Sequence, residues 1–277
     1  MKRLLLALLL AGCAPGAGAI ADGEMVPVPV TQADGSTATI QARLCLPQGG
    51  ARRPLVLINH GSPANAARRP AMTATSCGAE AVRFFLARGH AVGIPLRRGY
   101  GASGGNWAET YGRCDNADYV RAGLEGARDI RAAMTALTAR PDVPAGLVLV
   151  VGQSAGGWAS MALASQNPPG IAGYVNMAGG RGGHLNNIAN LNCAADRLVQ
   201  AAGRFGATSR APMLWVYTAN DSFFAPELAR RMHQAFTAAG GQARFVAAAP
   251  FGTDGHNLFF GSGGSAIWGP LVNEAFP

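Results

Sequence analysis

The sequence predicts an α/β domain: a mostly parallel, eight-stranded sheet with helices on both faces, opened by an antiparallel hairpin. Three observations lead there. Leu55-Val56-Leu57-Ile58 and Leu147-Val148-Leu149-Val150-Val151 are unbroken apolar runs, as expected of strands buried on both faces. Stretches of helical periodicity separate such runs, and strands alternating with helices imply a parallel sheet. The 277 residues are 49% apolar and only 14% charged, which supplies a large core and excludes a disordered chain.

Each element follows from its pattern. Residues 26–46 alternate as a hairpin around Asp34-Gly35, a turn signal. Residues 55–58 form the first buried strand, ending in the loop Asn59-His60-Gly61-Ser62-Pro63. Helical periodicity over 71–88 stops at Gly89, and His90 to Pro95 is a strand. A glycine-rich loop, Arg97 to Gly105, precedes a long helix over 117–139. The strand 147–151 runs through a tight turn into a helix over 156–167. A strand follows at Ile171 to Met177. Residues 178–211 break the rhythm as an excursion, with a helix near 193–203. Strands at Met213 to Tyr217 and Ala243 to Ala247 alternate with helices over 224–239 and 264–276.

The amino terminus reads as an export segment over 1–21, followed by a single domain over 22–277. Lys2 and Arg3 precede a short apolar run, Leu4 to Leu10, too short for the ~20 residues that span a bilayer. Two processing patterns stand side by side. Leu10-Ala11-Gly12-Cys13 fits a lipobox, which would lipidate Cys13 and attach the protein to a membrane. Ala19-Ile20-Ala21 before Asp22 fits ordinary cleavage. Either places the mature protein outside the cytoplasm: periplasmic, secreted or anchored as a lipoprotein. There Cys45, Cys77, Cys114 and Cys193 can form disulfides, in any of three full pairings. Cys114 and Cys193 fall in loops expected above the site and are the first choice, with Cys77 able to replace either. Their spacing does not suit zinc. The formal charge is +8, almost all of it arginine scattered in ones and twos, including Arg68-Arg69 and Arg97-Arg98. It reads as a solvated basic surface rather than a nucleic-acid groove.

Chemistry concentrates in Gly152-Gln153-Ser154-Ala155-Gly156, which fits G-x-S-x-G. The bare pattern is weak in a chain with 38 glycines; its place between a buried strand and a helix gives it mechanical meaning. Ser154 is the expected nucleophile, and a serine hydroxyl needs a base. His256, in Thr253-Asp254-Gly255-His256-Asn257 after the last strand, stands where the chain order serine–acid–histidine puts it. His60 precedes the serine and suits a loop-fixing role; His233 reads as a surface residue of its helix. Asp221, after the strand 213–217, is the expected acid, ahead of Asp254 and Asp196. The backbone N–H groups of Ala155 and Ser62, with Gly61 as fallback, would form an oxyanion hole. Trp158, Phe223, Phe224 and Arg181 are the expected substrate contacts, with Trp215 and Phe251 as further candidate walls. This chemistry requires no cofactor and no metal.

With these residues in view, the chain resembles an exported bacterial member of the α/β-hydrolase superfamily, near the dienelactone hydrolase and prolyl-oligopeptidase-like branch. The resemblance covers roughly residues 40–277. It is carried by Asn59 to Pro63, Arg97 to Gly105, Gly152 to Gly157, Asn220-Asp221 and Asp254-Gly255-His256. Serine stands where dienelactone hydrolases carry cysteine. The expected activity is hydrolysis of small soluble carboxylic esters through an acyl-enzyme, the excursion being too short for a lipase lid. A peptidase or amidase on the same triad is the alternative. A surface-binding protein without catalysis is a third reading, and it usually lacks a triad member.

Overall fold

The computed structural model describes residues 22–49 and 52–277. The export segment, with Cys13 and the junction after Ala21, lies outside the described residues. The chain opens with β1 (Glu24–Thr31) and β2 (Thr37–Cys45), paired antiparallel. Their turn is closed by the Asp34 carboxylate accepting from the Ser36 N–H at 3.0 Å. Then follow β3 (Arg53–Asn59), α1 (Glu80–Leu86), β4 (His90–Leu96), α2 (Tyr119–Thr138), β5 (Val148–Gln153), α3 (Ala155–Ala164) and β6 (Ile171–Met177). The chain continues through α4 (Ala195–Thr208), β7 (Met213–Thr218), α5 (Pro226–Ala238), β8 (Ala243–Ala248) and α6 (Ser265–Ala275).

The eight strands form one sheet in the order β1-β2-β4-β3-β5-β6-β7-β8. β2 meets β4 antiparallel, and every pair from β4 through β8 is parallel. Side chains alternate across the strands. Leu55, Leu57, Val148 and Val150 enter one core with α2, α3, α4 and α5. Val56, Ile58, Leu149 and Val151 enter a second core with α1 and α6. This two-sided burial is the physical content of the apolar runs. The chain reverses its direction across the sheet between β3 and β5, so the loops leaving these two strands sit side by side. Such switch points are where open α/β sheets bind ligands.

One helix differs from its periodicity. The expected helix over 71–88 is a short 3₁₀ turn, Ala66–Ala71, an extended stretch, and then α1. Cys77 explains the break: it is fully buried and disulfide-bonded to Cys45 at the end of β2, which draws residues 72–79 out of a helical path. Cys114 pairs with Cys193, as first chosen. The two pairs are consistent with an extracellular protein. Among the described residues no helix is long and apolar enough to cross a membrane.

Candidate active site

Ser154 stands between β5 and α3 with φ 54° and ψ −120°, a conformation few non-glycine residues adopt. The flanking glycines make it feasible. A Cβ on Gly152 would lie 2.3 Å from the Gly156 carbonyl oxygen, and one on Gly156 would lie 2.2 Å from that of Asn59. The Ser154 N–H donates to the Met177 carbonyl at 3.0 Å, tying the turn to β6. Ala155 opens α3, where the first N–H groups have no intrahelical acceptor. Its neighbour across the switch point is Ser62, and both line one cavity with Ser154. Neither N–H has an acceptor among the described residues.

His256 and Asp221 come together from loops after β8 and β7. The His256 Nδ1 lies 3.1 Å from each Asp221 carboxylate oxygen. A carboxylate only accepts, so Nδ1 carries the proton and Nε2 is free to take one. Asp221 is itself anchored, its Oδ1 accepting from the Phe223 and Phe224 N–H groups at 2.8 and 2.9 Å. Asp254 has a different task from that of an orienting acid. It accepts from the His256 N–H (3.0 Å), the Ser222 N–H (3.1 Å) and the Ser222 hydroxyl (2.6 Å), stitching the two loops together. Asp196 lies on the surface, paired with Arg231.

Ser154 and His256 line a common cavity, while the Ser154 hydroxyl makes no hydrogen bond among the described residues. Catalytic hydrogen bonds are often loose before substrate seats. Gln153, which sequence reasoning passed over, steadies the pair: its Nε2 donates to the His256 carbonyl at 3.0 Å. Its position inside the pentapeptide was the available signal.

His60 fixes the loop after β3. Its Nε2 accepts from the Arg97 N–H at 3.2 Å, and its Nδ1–H donates to the Gly61 carbonyl at 2.7 Å. Burial, and then the Arg97 charge, push its pKa down to about 3, so it stays neutral. His233 departs from the surface reading: it is half-buried, bonds the Ala243 carbonyl at 3.0 Å and sits edge-on to Trp215.

The expected substrate contacts divide. Phe223, Phe224 and Arg181 line the cavity beside Ser154. Phe223 stacks on His256 with ring centroids 4.1 Å apart. Trp158 does not reach the cavity. It lies on α3 itself, fully buried on the face toward α2 and α4, donating to the Tyr119 carbonyl at 2.8 Å and packing on Phe205. Trp215 is likewise core, and Phe251 packs at the edge of the second core. In both tryptophans the period-2 and helical patterns gave a core position, and nearness in sequence to the site did not change it.

The basic pair Arg97-Arg98 also departs from expectation, being buried rather than solvated. Arg98 pairs with Asp129 and Glu125. Arg97 pairs with Glu109, which also meets Arg181 Nη1 at 3.0 Å and the Tyr100 hydroxyl at 3.2 Å. Burial raises the Glu109 carboxyl, but Arg97 and Arg181 outweigh it and hold the pKa at about 2. Glu109 had no signal in the sequence beyond its place in a polar loop. Among the described residues there is no cluster of three or more metal-ligating side chains.

No protein-family model matches the sequence. No curated protein matches it either. Solved structures do. An acylaminoacyl peptidase of Pyrococcus horikoshii superposes with a TM-score of 0.64 at 12% identity, over 91% of this chain and 42% of that one. This chain therefore spans less than half of the peptidase's length. A Pyrococcus furiosus esterase superposes with a TM-score of 0.59 at 15% identity, over 97% of this chain and 98% of that one. Est1E of Butyrivibrio proteoclasticus, with ferulic acid bound, gives 0.57 at 16% identity, over 89% and 98%. With the strand order and the position of the turn between β5 and α3, these likenesses give the chain the α/β-hydrolase fold.

Proposed function

We propose that the protein is a serine hydrolase that cleaves small carboxylic esters through an acyl-enzyme. Ser154 is the nucleophile, His256 the general base and Asp221 the residue that orients it. The observation that carries this reading is the His256 Nδ1 lying 3.1 Å from both Asp221 oxygens, beside a serine held on a strained strand-to-helix turn. The Ser154 oxygen attacks the ester carbonyl as His256 Nε2 takes its proton. The resulting oxyanion accepts from the Ala155 and Ser62 N–H groups. The intermediate collapses, His256 returns the proton to the departing alcohol, and the acyl group stays on Ser154. Water, deprotonated by His256, repeats the attack and releases the acid. Phe223, Phe224 and Arg181 border the space where the substrate would lie.

Ester cleavage is supported by the likeness to the P. furiosus esterase, and a peptidase or amidase on the same triad, supported by the likeness to the acylaminoacyl peptidase, is the alternative. Within the fold, the motifs at residues 59–63, 97–105, 152–157 and 254–256 support a reading near the dienelactone hydrolase and prolyl-oligopeptidase-like branch. The paired cysteines support export, in soluble form or anchored through Cys13. A fluorophosphonate probe is expected to label Ser154, and Ser154→Ala to abolish both labelling and turnover of a short p-nitrophenyl ester. Turnover surviving in that variant would remove Ser154 from the mechanism.

A further inference from the structure

Two spaces meet at Ser154. The larger, about 480 Å³, is lined by His256, Asn257 and His60. The smaller, about 170 Å³, is lined by Ser154, Ala155 and Ser62 but not by His256. The base must hand its proton to the leaving oxygen, so the alcohol belongs on the His256 side. The smaller space then takes the acyl portion. An apolar cavity of about 150 Å³ accommodates benzene, so an acyl group of comparable bulk fits.

The lining of this smaller space carries two guanidinium groups and no carboxylate. Arg69 makes no ion pair among the described residues, and its guanidinium lies 3.5 Å from the centre of the Trp107 ring. The Arg181 guanidinium lies 5.6 Å from the same ring. Arg181 is only 5% exposed, and its Nε–H has no hydrogen-bond partner. The acid paired with it, Glu109, is shared with Arg97, so one carboxylate faces two buried cations. A buried charge left uncompensated is costly, and an anion in the space would offset it.

We propose that this pocket receives an acyl group bearing its own carboxylate, held by Arg69 and Arg181 beside Trp107. The substrate class is then the half-ester of a short dicarboxylic acid. This rests on the hydrolase reading for its chemistry, while the anion site rests on the charges alone.

The test compares p-nitrophenyl hemiglutarate with p-nitrophenyl 5-methylhexanoate, in which an isopropyl group replaces the carboxylate. Wild type is expected to favour the hemiglutarate in kcat/KM by at least about tenfold, the scale of one charge-assisted hydrogen bond. Arg69 makes no ion pair among the described residues, so Arg69→Gln breaks none. The preference should collapse in Arg69→Gln and largely return in Arg69→Lys. Equal or faster turnover of the neutral ester, or a preference unchanged in Arg69→Gln, overturns the proposal and leaves the hydrolase reading standing. Should neither ester be cleaved, calorimetric titration of glutarate into Ser154→Ala decides. Binding that is lost on adding Arg69→Gln upholds the anion site without the hydrolase, and no binding overturns both.

Discussion

The turn that carries Ser154 and the wall that faces it are built over different distances along the chain. The turn is shaped by Gly152 and Gly156, four residues apart and packed so closely that neither admits a Cβ. The wall joins residues 107–114 to residues 180–193. Its ties are the Glu109–Arg181 ion pair, 72 residues apart, and the Cys114–Cys193 bridge, 79 residues apart. A third tie runs from the Tyr119 hydroxyl to the Cys193 carbonyl. The proposed reacting group is therefore set by local backbone geometry, and the surface proposed to face the substrate by long-range cross-links. Chemistry and specificity can then vary separately on one fold.

The largest expected effect breaks the turn and leaves the wall alone. Ser154→Gly removes the proposed nucleophile, and ester turnover should fall by at least about 10⁴-fold. The same change relieves a backbone conformation that costs roughly 1–3 kcal/mol in a non-glycine residue, against roughly 0.5–1 kcal/mol of added chain entropy. Inactivation should therefore come with a gain in stability of about 1 kcal/mol, read as a higher denaturant midpoint. A destabilised Ser154→Gly protein would mean that the turn stores no strain.

The same division governs what the sequence could tell. The pentapeptide at 152–156 was readable because a strand, two glycines and a helix are adjacent in the chain, and the order Ser154, Asp221, His256 follows the strand order of the sheet. Asp221 was separable from Asp254 because a carboxylate two residues from His256 hardly reaches the ring; it reaches the His256 backbone N–H instead. The wall was not readable. Arg97 and Arg98 look like any exposed basic pair until Glu109 and Asp129 are folded against them. Trp158 is close to Ser154 in sequence but points into the core, because helix α3 carries it away from the sheet edge. The break in the helix expected over 71–88 depends on a partner for Cys77 that lies 32 residues away.

The two disulfides sharpen the comparison at an intermediate scale. Cys45–Cys77 closes a separation of 32 residues at the sheet's periphery, and Cys114–Cys193 closes one of 79. Chain entropy alone makes each worth about 4 kcal/mol, the longer slightly more. Removing either pair as serines should therefore lower stability by similar amounts. Activity should divide them. Cys193 fixes the pocket wall by donating its N–H to the Gly182 carbonyl at 2.8 Å, and Gly182 lines the cavity. Loss of Cys114–Cys193 should raise KM for esters below the melting transition, and loss of Cys45–Cys77 should leave it unchanged. Equal effects on KM would show that the wall is held by the Glu109 ion pairs without the bridge.

The smallest effect is expected where turn and wall meet, at His60. Its ring accepts from the Arg97 N–H, its carbonyl accepts from Arg97 Nη1 at 2.9 Å, and Arg97 leads on to Glu109. The native pKa of about 3 lies below the value of about 6.5 for the unfolded chain. Between these limits the unfolded state binds a proton that native His60 refuses. Stability contributed by His60 is full above pH 6.5 and is lost as pH falls toward 3, by up to about 1.4 kcal/mol per pH unit. Glu109 acts in the same direction at lower pH, where its carboxyl, held at about 2, resists the protonation that an unfolded glutamate undergoes near about 4.3. The two separate on the pH axis. The difference in unfolding free energy between wild type and His60→Gln should shrink from pH 6.5 to 5, before Glu109 contributes. A difference constant over that range would mean that His60 takes up its proton within the fold, with the Arg97 N–H bond giving way, and that the junction between turn and wall yields to acid before either part unfolds.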